Sequence, residues 1–316
     1  MTSVGLFGKV PTHGDFVARG TASRTGRSFE RWAQMANDRI AEAGKPLPRG
    51  PIGFVYRDDV NESLLVGTLI GSRDSVGRSF PLATFCELDT RASGIAFAAL
   101  PGAMAPVVEQ LGELCRTAHR CTPAELTTML DAIAPPDAEA LATAMRTQLR
   151  RLADVPLAAV LDRIHGSGDG RYYGTEVLLR ACESTRRYGT IKNPLILDAH
   201  VTSDIELLFW LACIDAGLAG SIGSPATFWD VSARRLLVVM GAPESNTLHY
   251  LSGRGVQSQR LWPTATDNAD SSRSARARLD DACAAMLAVP GTATAEQFVS
   301  RISSLADDSA ARAKPR

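Results

Sequence analysis

The architecture follows from the stretch Ile52-Gly-Phe-Val-Tyr-Arg-Asp-Asp-Val-Asn-Glu-Ser-Leu-Leu-Val-Gly-Thr-Leu-Ile70. Ile52 to Tyr56 and Leu64 to Ile70 are apolar runs of strand length. Between them lies the polar connection Arg57 to Glu62, so the pair reads as a hairpin. Two strands joined so closely run antiparallel. Working outward, Val4 to Lys9 reads as an earlier strand, ended by Pro11 and Gly14, and Pro81 to Leu88 as a later one. Arg27 to Ala43 reads as a helix. Phe29, Trp32, Ala36 and Ile40 recur there at helical spacing, and Gly44 and Pro46 close it. The pattern predicts an α+β protein: a mostly antiparallel central sheet with packed helices, followed by a helical lobe. A longin- or roadblock-like arrangement is one form such a sheet takes, by analogy.

From Ser93 to about Leu161 the chain is rich in alanine and leucine and punctuated by prolines 101, 106, 123, 135, 136 and 156, the mark of successive short helices. Gly166-Ser-Gly-Asp-Gly170 reads as a loop or boundary. A mixed pattern then returns. Leu195 to Asp198 reads as a strand, Ser203 to Leu218 as a helix capped by Ser203 or Asp204 with Glu206 near its positive end, and Arg235 to Met240 as a strand. Three segments are expected: an α/β domain over 1–130, a helical and mixed α/β second lobe over 131–262, and a small helical appendage over 263–316. In the last, Ala275 to Leu287 reads as a weak helix. Thr294 with Gln297 forms a capping box before the stripe Phe298, Ile302, Leu305. A loose tail is expected from about Asp307.

The 316 residues carry 34 basic and 34 acidic side chains, for a formal net charge of zero. Such a balance gives no support to nucleic-acid binding or to an anionic membrane surface. The longest apolar run, Leu207 to Leu218, is too short to span a bilayer and is broken by Asp215, so no membrane insertion is expected. The first residues lead straight into a strand without a secretory pattern, and a cytoplasmic location is expected. Six cysteines stand scattered. Cys115, His119 and Cys121 lie close together but fit no common zinc spacing, and free cysteines are mostly interior. No metal or cofactor is expected.

Several stretches invite a functional reading beside a plainer one. Gly5-Leu-Phe-Gly8-Lys9 has part of a phosphate loop, but Ser3 and Val10 stand where that loop needs its first glycine and its metal-binding hydroxyl. His13 and Asp15 alternate, which places both on one side of an extended chain, where they could hold a metal or orient an imidazole. The plainer reading has Asp15 accepting turn N–H groups and His13 solvated. Arg73, Asp74 and Arg78 form either a partner-binding arginine fork or an internal ion pair that shapes the loop. Trp229, in Phe228-Trp229-Asp230, is either an exposed anchor or core. No Gly-x-Ser-x-Gly elbow occurs, and no catalytic residue is assigned.

Gly5-Leu-Phe-Gly-Lys-Val-Pro-Thr-His-Gly-Asp-Phe-Val17, the Phe29/Trp32 helix and Asp74-Ser-Val-Gly-Arg-Ser-Phe-Pro-Leu82 together resemble the TagF (ImpM-like) family of type VI secretion accessory proteins. The likeness is dense over about residues 4–90, looser around 221–241, and silent on 264–316. The resemblance implies a cytoplasmic, bacterial, non-enzymatic regulator that represses secretion post-translationally by binding the forkhead-associated scaffold protein Fha, or another secretion component. The loops at 9–19 and 72–80 are the expected interaction surface, with Lys9, His13, Asp15, Arg19, Arg73, Asp74, Arg78 and Trp229 as partner-binding residues. The competing class is a small hydrolase or phosphate-binding enzyme using Lys9, His13 and Asp15.

Overall fold

Side chains along a strand alternate between the two faces of a sheet, and here that alternation assigns each residue to one of two cores. In the computed structural model, which describes residues 3–58, 63–90, 95–166, 168–189, 194–220, 224–252, 258–266 and 268–313, Phe54 and Tyr56 enter one core while Val55 between them enters the other. Leu65 and Leu69 likewise oppose Leu64 and Val66.

The chain begins with β1 (Ser3–Gly8), β2 (Val17–Arg19), α1 (Arg24–Glu42), β3 (Ile52–Arg57), β4 (Ser63–Arg73) and β5 (Ser79–Asp89). The helical run follows as α2 (Leu100–Ala103), α3 (Ala105–Thr117), α4 (Pro123–Asp131), α5 (Ala138–Arg150), α6 (Leu157–His165) and α7 (Gly170–Tyr188). Strands return with β6 (Ile196–Ala199), α8 (Asp204–Leu218), β7 (Ala226–Asp230), β8 (Arg235–Val239), α9 (Asn246–Leu251) and β9 (Leu261–Pro263). The chain closes with α10 (Ala269–Arg278), α11 (Asp281–Ala288) and α12 (Ala295–Ala313).

The described strands form one sheet in the order β2-β1-β5-β4-β3-β7-β8-β6-β9. Every neighbouring pair is antiparallel except β6 with β9. The hairpin expected from Ile52 to Ile70 is present in register, Ile52 opposite Leu69 and Arg57 opposite Leu64; residues 59–62 of its connection lie outside the described residues. The sheet continues from β3 directly into β7, so residues on both sides of position 130 share one set of backbone hydrogen bonds.

Helix α1 begins where Ser23 accepts the Gly26 N–H (2.8 Å), an N-cap in the ordinary sense. Its stripe of Phe29, Trp32, Ala36 and Ile40 covers one face. Phe29 stacks on Phe54 at 5.3 Å and Trp32 on Phe228 at 5.3 Å. Trp32 Nε1 also donates to the Glu244 carbonyl (2.9 Å), so this helix clasps the segment before α9. The other face carries the helical layer. Helix α3 seats on β5, with Thr84 Oγ1 donating to the Leu111 carbonyl at 2.9 Å. Helix α8, apolar all round, is buried along nearly its whole length, as such helices must be.

Three details differ from the sequence expectations. Ser203 makes no cap with its side chain; instead Glu206 reaches back to the Thr202 N–H and hydroxyl and pairs with Arg163 Nε at 2.8 Å. Phe298 and Ile302 of α12 enter the main core, Phe298 stacking on Phe209 of α8 at 5.9 Å. The tail expected to loosen at Asp307 stays helical to Ala313. The capping box at Thr294 and Gln297 is present, with both hydrogen bonds made.

Candidate functional site

Two loops meet beyond the ends of β1 and β5, and a single buried carboxylate organises them. The turn between β4 and β5 contains Asp74-Ser-Val-Gly-Arg78. Gly77 adopts φ +91°, a backbone state in which a side chain is strained. That turn folds four donors onto Asp74. Oδ1 accepts the N–H groups of Val76 (3.1 Å) and Arg78 (2.8 Å). Oδ2 accepts Arg78 Nε (2.6 Å) and Lys9 Nζ (2.9 Å). Lys9 follows β1, so the last bond joins the two loops across the sheet end. Its ammonium lies 4.9 Å from the Phe16 ring centre, a cation–π approach.

Asp74 is 2% exposed. Burial alone would raise its pKa, but the Lys9 hydrogen bond, then the Arg78 backbone and guanidinium, outweigh it and hold the carboxyl well below the usual carboxylate range. Two further bonds tie the loops. Arg78 Nη2 donates to the Gly14 carbonyl (2.6 Å), and Ser75 N–H to the His13 carbonyl (3.0 Å). Phe16 stacks on Phe7 at 5.4 Å and meets Phe80 edge-on at 4.8 Å. The aromatic trio thus packs the base of both loops.

The residues proposed from sequence therefore divide. Lys9 and Asp74 are buried and bonded to one another, so neither side chain meets a partner directly. Arg78 keeps an exposed guanidinium while bracing the loop, which is the internal-ion-pair reading of this segment. His13 and Asp15 are exposed, and Asp15 Oδ1 accepts the Phe16 N–H (2.8 Å), as its turn reading expected. Arg19 reaches away from the loops and forms an exposed pair with Asp131 of α4 (2.9 Å). Arg73 is exposed and makes no hydrogen bond or ion pair among the described residues. Trp229 lies on β7, half buried over Gly53 of β3, where an added Cβ would collide with the indole. The ammonium of Lys9 is taken by Asp74, and among the described residues it forms no ion pair with Asp15.

Cys115, His119 and Cys121 are each engaged elsewhere. Burial pushes the Cys115 thiol up to about 12, and it lies 3.3 Å from Thr84 Oγ1. His119 Nδ1 lies 2.8 Å from the Arg116 carbonyl while Nε2 accepts from Arg120 Nε. Cys121 is bonded to the Thr117 carbonyl. Sequence reading missed Phe16, which is 38% exposed and caps Lys9. Its signal was present: an aromatic residue directly after Asp15 in a polar loop.

Loops carried on a rigid sheet are where binding residues are commonly found. Residues 5–133 match the TagF N-terminal domain, described as type VI secretion system-associated. Both motifs that carried the resemblance lie inside the match. Among solved structures the chain is similar to the crystal structure of PA0076 from Pseudomonas aeruginosa PAO1, at 22% identity and a TM-score of 0.35, covering 46% of this chain and 78% of that one. No curated protein matches the sequence.

Proposed function

We propose that the chain is a non-enzymatic, cytoplasmic accessory protein that represses type VI secretion post-translationally by binding the forkhead-associated scaffold protein Fha. The observation that carries this reading is the match to the TagF N-terminal domain over 5–133, which contains both interlocked loops. Repression by such a protein needs binding alone. A partner held by a repressor present well above its dissociation constant is withdrawn from assembly by mass action. The loop clasp around Asp74 pre-forms the surface, which lowers the ordering cost of association. Among the side chains named from sequence, His13, Asp15, Arg73 and Arg78 remain free to touch the partner, with Trp229 at the rim of β7. Among the described residues no helix is long and apolar enough to cross a membrane.

The test is made in cells. Overproducing the protein in its own bacterium is expected to lower the secreted type VI substrate in the medium while leaving the intracellular amounts of the secretion components unchanged. Unchanged secretion, or a fall that tracks loss of component protein, would contradict the proposal.

A further inference from the structure

Beside the interlocked loops, on the far side of Arg73, β4 runs past the start of β3. Ile52 of β3 stands opposite Leu69, so Ile70 to Arg73 continue beyond it. On that side Pro48 accepts the Gly71 N–H at 3.0 Å, and the strand edge then opens into a groove of about 780 Å³. Leu47, Pro48 and Ile70 are among its apolar lining residues. Its walls carry Arg49, Arg73 and Arg116, and no aspartate or glutamate lines it. Arg49 and Arg73 are exposed and make no hydrogen bond or ion pair among the described residues. Arg116 is paired with Glu113 one turn back on α3, at 2.8 Å. The chain as a whole is neutral, so two unpaired arginines, Arg49 and Arg73, in a groove lined by no carboxylate are a local excess.

We infer that this groove takes an extended acidic segment of a protein partner, with its carboxylates on Arg49 and Arg73. Each feature answers to that ligand. Successive side chains of an extended segment point to opposite sides, so its apolar residues and its carboxylates are presented separately. Arginine forks suit planar carboxylates, which they bind in pairs of hydrogen bonds. His119 takes no part, because both its ring nitrogens are already bonded. The inference deepens the partner-binding reading, on which it rests for its physiological meaning, by naming the chemistry of the segment recognised.

The experiment uses the full chain and a fluorescein-labelled ten-residue peptide of alternating glutamate and valine, read by fluorescence anisotropy at 50 and 300 mM salt. Binding is expected at the lower salt and weaker at the higher. Arg49→Glu and Arg73→Glu are each expected to weaken it roughly tenfold or more, as charge reversal in a complementary surface does. Arg31→Glu, on the exposed side of α1, is the control and is expected to change nothing. Neither Arg49 nor Arg73 supports the fold by a hydrogen bond or ion pair, so unchanged thermal melting of these variants is expected and is measured alongside. Three results would overturn the inference: no peptide binding, binding indifferent to both groove substitutions, or sedimentation showing that a second copy of this chain fills the groove and is released by Arg73→Glu. Failure of the Fha reading is separable. Peptide binding lost in Arg49→Glu without any Fha binding retains the groove and removes that partner, whereas Fha binding unaffected by Arg49→Glu removes the groove.

Discussion

The ammonium of Lys9 sits 2.9 Å from the carboxylate of Asp74, 65 positions further along the chain, and both are buried where the two conspicuous loops meet. This pair turns two sequence motifs into one surface. Removing one partner of a buried pair leaves an uncompensated charge away from water, and that is strongly destabilising. Lys9→Met is therefore expected to lower the melting temperature by roughly 5 °C or more. The double variant Lys9→Met/Asp74→Leu is expected to lose less than the two single variants added together, since it leaves no orphaned charge. Circular dichroism melts of the three variants check this; single variants that melt like the parent would contradict it.

The same pair has a pH signature. Asp74 has its folded pKa depressed, so its contribution is complete above the ordinary unfolded value near 4 and is lost as pH falls through that range toward the folded value. Stability measured between pH 5 and 7 is therefore expected to be blind to Asp74.

His165 contributes in that window instead. Burial, then the neighbouring His200 and Arg171, lowers its pKa from 6.5 to about 4. Its ring meets Trp210 edge-on at 6.0 Å. A base with a depressed folded pKa is protonated more readily in the unfolded chain, so stability is full above pH 6.5 and falls as the pH drops toward 4. The loss at pH 5 relative to pH 7.5 is about 2 kcal/mol from this group. Urea unfolding of His165→Gln at the two pH values is expected to show that much less acid sensitivity than the parent. An equal acid loss in both proteins would refute the assignment.

Arg78 is a brace rather than a pillar. Arg78→Ala removes the bond to the Gly14 carbonyl and one of the bonds to Asp74, but its guanidinium is largely exposed and the backbone N–H still holds Asp74. Global stability is expected to change by about 1 kcal/mol or less, while amide exchange in 12–16 and 74–78 speeds up. Exchange confined to the parent rate in both loops would show that the clasp does not depend on this side chain.

The last helix belongs to the core. Phe298 is 2% exposed and stacked on Phe209. Phe298→Ala is expected to cost about 3–5 kcal/mol, the range for emptying a buried aromatic site, read from urea unfolding. A loss under about 1 kcal/mol would show a peripheral appendage.

Much of this fold was legible because its central strands and first helix carry strong periods. The hairpin at 52–70, the strand before Leu88 and the stripe Phe29, Trp32, Ala36, Ile40 were each placed within a few residues. Strands β2 and β9 were not legible: three residues hold no period, and they form because neighbours offer an edge. Helix α7 was hidden because buried Thr175 and Glu176 interrupt its apolar stripe. In the site, the sequence marked both loops and the plainer role of Asp74 with Arg78. It could not mark the bond from Lys9 to Asp74, because that contact depends on the register of β1, β5 and β4. Arg49 and Arg116 reach the groove of Arg73 for the same reason, from three separate elements with no local motif between them.

The account rests most directly on one measurement: calorimetric titration of the purified protein with the Fha-type scaffold of the same genome, repeated with Arg73→Glu. The account predicts saturable binding at a 1:1 or 2:2 ratio, weakened roughly tenfold or more by the substitution, with unchanged melting. A well-folded protein that gives no heat and no complex with the scaffold would contradict it.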